Sequence, residues 1–215
     1  MTDIKHHLTD ELLMAYASGN LPEAFNLVVA THVSMCDECR ARMHSFDAVG
    51  GALLDEDTSV AMSDGALEAT LARLLTQDTD APEIRTPHTG DVPQPLVDYI
   101  GADLSALKWR PVGMGVRQAK IKTSKSASVR LLHIPAGCAV PDHGHRGTEL
   151  TLVLQGAFRD ETDRFGKGDI EVANEDLHHT PVAEDGVDCI CLAATDAPLK
   201  FNGLIPKIAQ RFVGM

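Results

Sequence analysis

The sequence predicts two units of different class, an all-α domain followed by an all-β barrel, and three observations carry that expectation. Up to residue 76 the apolar residues recur at three- and four-residue steps; beyond residue 95 they come as short Val, Ile, Leu and Thr runs separated by Gly and Pro. Between these patterns, residues 78–95 hold Pro82, Pro87, Pro93 and Pro95 with hardly an apolar side chain, the composition of a linker. Charge divides at the same place: residues 1–80 carry 14 Asp+Glu against 4 Lys+Arg, a balance of −10, whereas residues 81–215 balance at −2. The boundaries read as a helical domain over 1–80, a linker over 81–95 and a β domain over 96–215.

In the helical half, Thr9 before Asp10 and Glu11 is an N-cap with acids in the first turn, and Gly19 is the stop. Leu12, Leu13 and Tyr16 are the apolar residues of this first helix. Pro22 stands at a natural first helical position, and Phe25, Leu27, Val28 and Val29 make the second helix largely apolar as far as His32. If that helix runs on, His32, Cys36 and Cys39 fall at 0°, about 40° and about 340° around the axis, on one face. An imidazole and two thiolates suit zinc, whose closed structural sites take four tetrahedral ligands. His7, upstream and just before the first helix start, is the fourth candidate, with His6 the spare. A redox Cys-x-x-Cys would instead open a helix after a strand, and no strand pattern precedes this one.

After Cys39, Met43, Phe46, Val49 and Leu53 extend a third helix, weakened at Gly50-Gly51 and ending near Asp55-Glu56-Asp57. A fourth amphipathic segment starts at Ser63-Asp64 and carries Leu67, Leu71, Leu74 and Leu75 on one stripe. That stripe is either core or a docking face for a partner. The acidic surface repels phosphate backbones and attracts basic proteins, so direct nucleic-acid binding is not expected. Masking of a DNA-binding protein and plain solubility are both consistent with it.

The β half contains the most specific spacing in the chain: Gly137, then His143, His145 and Glu149, then Gly156. Two histidines at i and i+2 point to the same side of a strand and can both face the inside of a barrel. Glu149 opens the run Leu150-Thr-Leu-Val-Leu, and His178-His179 returns after the Gly168-Asp169 turn. Three imidazoles and a carboxylate make a second divalent site, with zinc, manganese, iron or nickel all compatible. Cys189 and Cys191 alternate on a strand and share a face, whereas Cys138, His133 and His88 read as structural or incidental. No acid–base pair or substrate-binding cation stands out, Arg146 and Arg159 being the nearest, so no catalytic residue is assigned.

At 215 residues and 44% apolar content the chain can build a real core. The first residues lack the blocks of a signal peptide, and no apolar run reaches bilayer length, so a cytoplasmic location without membrane contact is expected. Five cysteines, an odd number, then read as ligands or free thiols rather than a disulfide framework.

These residues carry two resemblances. Gly137 to Gly156 matches in full the first motif of the cupin double-stranded β-helix, and His179 lies eleven residues after Gly168 as in the second, although Asn174, Asp176 and Ala183 replace its usual Pro, Gly and Asn. His7 with His32, Cys36 and Cys39 resembles the zinc-binding anti-sigma domain. Both together, in this order, resemble the ChrR-type anti-sigma factors over essentially the whole chain. The resemblance implies a structural zinc on His7, His32, Cys36 and Cys39, and a second metal on His143, His145, Glu149 and His179. It also implies a 1:1 complex with an extracytoplasmic-function sigma factor, released under oxidative stress of the singlet-oxygen type, with the cupin domain needed for the response. The rival expectation is a metal-dependent cupin dioxygenase or isomerase fused to a zinc helical domain.

Overall fold

The fold was analysed on a computed structural model that describes residues 3–56, 59–76, 90–141, 143–144, 146–197 and 200–201. Helix α1 (Asp10–Ala17) starts where Thr9 accepts the Leu12 N–H, and Gly19, at φ 71°, takes the left-handed turn that ends it. Helix α2 (Glu23–Met35) uses Pro22 as its N-cap, one position earlier than the sequence reading put it in the helix. Helix α3 (Asp37–Asp55) runs unbroken through Gly50 and Gly51, and α4 (Ala66–Thr76) follows. Residues 77–89, which include His88 and most of the expected linker, lie outside the described residues.

The β domain does not begin with a strand. Helix α5 (Gln94–Ile100), with Pro93 as N-cap and a Pro in its first turn, packs on α2, and a 3-10 turn over Leu104–Ala106 follows. Among the described residues twelve strands then succeed one another: β1 (Arg110–Gly113), β2 (Val116–Ile121), β3 (Ser128–Ile134), β4 (His143–Gly144), β5 (Glu149–Gln155), β6 (Ala157–Arg159), β7 (Arg164–Gly166), β8 (Ile170–Ala173), β9 (His178–His179), β10 (Val182–Ala183), β11 (Cys189–Thr195) and β12 (Lys200–Phe201). They form a six-stranded sheet in the order β1-β2-β3-β11-β5-β8 and two three-stranded sheets, β10-β6-β7 and β12-β4-β9. Every strand pairing among the described residues is antiparallel, and β4 sets His143 directly opposite His179 of β9.

Alternation along β5 and β11 separates two layers. Leu150, Leu152, Leu154, Ile190, Leu192 and Ala194 point outward into a cluster shared with Leu13, Phe25, Val28, Val29 and Leu96 of the helices. The opposite face, with Val153, Cys189 and Cys191, packs inward on Val116, Ile134, Phe158 and Phe165. Helix α2 lies on β3, β5 and β11, so β5 and β11 are buried on both faces and read as near-continuous apolar runs. Glu23 fastens the start of α2 across this junction, accepting from the Tyr99 hydroxyl of α5 at 3.1 Å and from the Ser124 N–H of the β2–β3 loop at 2.6 Å. No helix among the described residues is long and apolar enough to cross a membrane.

One apolar core across both units makes them unfold together. Leu192 is fully buried in that core, so Leu192→Ala should cost about 2–5 kcal/mol. Urea titrations should show helix circular dichroism and Trp109 fluorescence shifting coincidently; a shift in the fluorescence transition alone would contradict a shared core.

Candidate metal centres

The sequence reading expects His32, Cys36 and Cys39 on one continuous helix, and the structure corrects this. Seven residues of unbroken helix would spread His32 and Cys39 by about 10 Å along the axis, too far for one ion. The chain instead breaks at Cys36, which adopts an extended conformation (φ −112°, ψ 110°) between α2 and α3. Its sulfur caps α3 by accepting the Cys39 N–H at 3.4 Å. The bend folds the two thiols back over His32, and the segment before α1 brings His7 in from the side.

The four donor atoms lie within 4.8 Å of one another. His32 Nε2 is 3.3 Å from Cys39 Sγ, and His7 Nδ1 is 3.3 Å from Cys36 Sγ and 3.7 Å from Cys39 Sγ. Bonds of about 2.0–2.3 Å to a tetrahedral ion place its ligands roughly 3.3–3.8 Å apart, so the residues fit zinc in both donor type and spacing. His32, Cys36 and Cys39 are buried and His7 is half-buried, as a closed structural site requires. Burial also pulls the His32 imidazole down to about 4, leaving it neutral and able to ligate, and pushes the Cys39 thiol up to about 11. The outer nitrogens are engaged as well. His7 Nε2 is 3.3 Å from Glu38 Oε2, and His32 Nδ1 donates to the carbonyl of Gly168 at 3.0 Å. His6, the spare candidate, turns away: its ring stacks on Phe165 at 4.3 Å and its Nε2 lies 3.1 Å from Asp163.

In the β unit the expected residues are only partly on view. His145 lies outside the described residues, and His143 is placed through its backbone opposite His179. Glu149 is buried at the start of β5, where Thr151 Oγ1 donates to it at 3.3 Å. Burial pushes its carboxyl up to about 7 against the attraction of Arg130. His179 is buried and His178 exposed, the assignment that the spacing favours.

Two residues that the sequence reading passed over meet His179. Its Nδ1 lies 2.7 Å from Asp160 Oδ2 and 3.1 Å from Glu171 Oε1, and the three side chains form a cluster of potential ligands. Burial draws the imidazole down, but hydrogen bonds and charge from Glu171 and Asp160 outweigh it and raise the group to about 9. With Nδ1 so engaged, ligation by this imidazole falls to Nε2, the common arrangement in which a carboxylate fixes the tautomer of a metal-bound histidine. A third missed residue is Arg130. It stands on β3 with the inward-facing residues, is 6% exposed, donates Nη2 to Ser128 Oγ, interacts electrostatically with Glu149, and has no hydrogen-bond partner for Nη1 among the described residues. Arg146 and Arg159, the cations the sequence suggested, are exposed, and Arg159 pairs with Glu184. The signal for all three missed residues was a charged side chain inside a short apolar strand or at its end.

Cys189 and Cys191 do share the inward face, their sulfurs 3.5 Å apart, and His133 is held by Asp188 at 3.1 Å. The leucine stripe of α4 is not core. Leu67, Leu71, Leu74 and Leu75 are 63%, 49%, 58% and 87% exposed, and α4 buries no residue among those described.

Comparison with known proteins bears on both units. Residues 98–197 match the family model described as the ChrR Cupin-like domain. Over 210 residues the chain is 60% identical to "Anti-sigma-E factor ChrR" of Cereibacter sphaeroides, covering 97% of this chain and 98% of that protein. Among solved structures it resembles the crystal structure of Rhodobacter sphaeroides SigE in complex with the anti-sigma ChrR. There the TM-score is 0.80 at 59% identity, over 90% of this chain and 100% of the other.

Replacing one thiol of the helical site should be read directly in metal content. Cys36→Ala is expected to lose about one zinc per chain in the purified protein, measured by elemental mass spectrometry. A full zinc complement in that variant would remove Cys36 from the ligand set.

Proposed function

The chain belongs to the ChrR-type anti-sigma factors, and from that premise we propose that it binds an extracytoplasmic-function sigma factor as a 1:1 complex and keeps it from core RNA polymerase. Near-full-length identity to an anti-sigma factor supports this reading over an enzyme, since the likeness spans both units. The observation that carries it is the apolar face of α4, four leucines open to solvent on a unit of balance −10. Apolar surface of this kind supplies affinity when a partner covers it, while the acidic field speeds encounter with the basic surfaces of a sigma factor. Val49, Leu53 and Leu54 at the end of α3 are likewise exposed.

In this reading a structural zinc on His7, His32, Cys36 and Cys39 holds the helices that clasp sigma. Such an ion contributes much of the folding free energy of a small helical domain. A second divalent metal, zinc foremost and manganese, iron or nickel also suited, is held by His143, His145, Glu149 and His179 in the cupin unit. The complex forms in the cytoplasm and needs no direct nucleic-acid or membrane contact. Oxidative stress of the singlet-oxygen type, received through the cupin unit, releases sigma. The domain boundaries at 80 and 95 remain the working division of these roles.

The test is Leu71→Asp, co-expressed with the cognate sigma factor and captured by affinity pull-down. Burying an unpaired carboxylate at an apolar contact should weaken the complex at least about 10-fold. Because the side chain is already half exposed, zinc content and helix circular dichroism should stay at wild-type levels. Undiminished capture would take α4 out of the interface.

A further inference from the structure

The zinc ligands of the helical unit are not oriented by that unit alone. The segment that delivers His7 lies along the turn between β7 and β8 of the cupin unit. Asp169, 4% exposed, accepts the N–H of Lys5 at 2.6 Å and of His6 at 3.0 Å on Oδ1, while its Oδ2 accepts Gly166 N–H at 2.8 Å. Ile170 N–H donates to the His6 carbonyl at 3.3 Å, so the backbone of His6 is held in both directions. The His6 ring closes the contact by stacking on Phe165. One residue on, His7 reaches the two thiols. The preceding residue of the same turn, Gly168, accepts from His32 Nδ1 and so directs His32 Nε2 at Cys39. Gly168 holds φ at +95°, where a side chain is strained, and a Cβ there would come within 2.7 Å of the Ile4 side chain, which would have to shift.

We propose that the Gly168–Asp169 turn of the cupin unit is a positioning element for the zinc site of the helical unit, fixing the His32 tautomer through Gly168 and the placement of His7 through Asp169. Two of the four donors thus depend on a turn more than 130 residues away in the chain. Outer partners of metal-bound histidines change metal affinity about 10- to 100-fold when lost. The same strand makes the connection longer. Glu171, two residues beyond Asp169 and near the start of β8, lies 3.1 Å from His179 of the cupin cluster, so the turn and the strand it opens touch both candidate metal sites.

The inference rests on zinc being held by His7, His32, Cys36 and Cys39, and its test separates the two. The full-length chain is loaded with cobalt, whose thiolate charge-transfer absorption reports only a site with cysteine ligands, and is titrated with a competing chelator. Asp169→Ala should lower the affinity of that site about 10- to 100-fold. His6→Ala, which leaves the Asp169–Gly166 bond in place, should lower it by a smaller factor in the same direction. Near-ultraviolet circular dichroism of Trp109 checks that the β unit is folded; if Asp169→Ala disturbs it, His6→Ala decides. Wild-type affinity in the folded variants overturns the inference while leaving the zinc assignment standing. A wild-type chain with no thiolate–cobalt absorption overturns both.

Discussion

A tetrahedral ion demands that donors from separate segments converge, and the helical unit brings four residues that could hold zinc within 4.8 Å of one another. The break at Cys36 is the clearest mark of that demand. Met35 and Asp37 are both helical, and only the residue between them is extended, because a straight continuation would carry Cys39 past the site. The sulfur of Cys36 takes over the capping role that a Ser or Asp oxygen fills elsewhere, so the bend leaves the first N–H groups of α3 provided for. Helices α1 and α3 bury only Leu13 and Cys39 respectively, and such elements need a pin as well as a core.

The core they do have is largely borrowed. Helix α2 is apolar almost all round because it faces its sister helices on one side and the cupin sheet on the other. The sheet in turn keeps its polar groups inside. Arg130, Glu149, Thr151, Glu171 and His179 are all buried, which is the reverse of an ordinary two-layer arrangement with polar residues on the solvent face. Opposed charges in a low-dielectric interior explain why His179 and Glu149 stand so far from their ordinary protonation behaviour, each drawn by burial in one direction and by its neighbours in the other. Cys189 and Cys191 sit deeper on the same face, among Val153, Ile134 and Phe158, and pack as small apolar groups.

How much of this was written in the sequence depends on whether the cause was local. The Thr9 cap, the Gly19 stop, the His32, Cys36 and Cys39 spacing and the change of period near residue 90 follow from neighbours along the chain, and all were readable. The bend at Cys36 was not, since residues 32–39 have good helical spacing and only convergence with His7 rules the helix out. Pro93 and Pro95 were taken as linker signals, although the same residues at the N-cap and first turn begin α5 once Leu96 has a core to enter. Asp160 and Glu171 are eleven residues apart and meet only because β6 and β8 both approach β9. The stripe of α4 had the period of a buried helix face, yet its leucines stand open to solvent, and periodicity alone does not say which of the two a stripe will be.

The contact between the zinc site and the β7–β8 turn also bears on how such a protein can be rearranged. Its two halves have the look of exchangeable modules, joined by a proline-bearing segment and different in class and charge. Yet His32 relies on a carbonyl of the other half, and the backbone beside His7 relies on its carboxylate. A helical half transplanted onto a foreign barrel would inherit its metal ligands without the groups that orient them. Recombination at the linker therefore carries a hidden condition: the incoming barrel must present a glycine and an aspartate at this one corner.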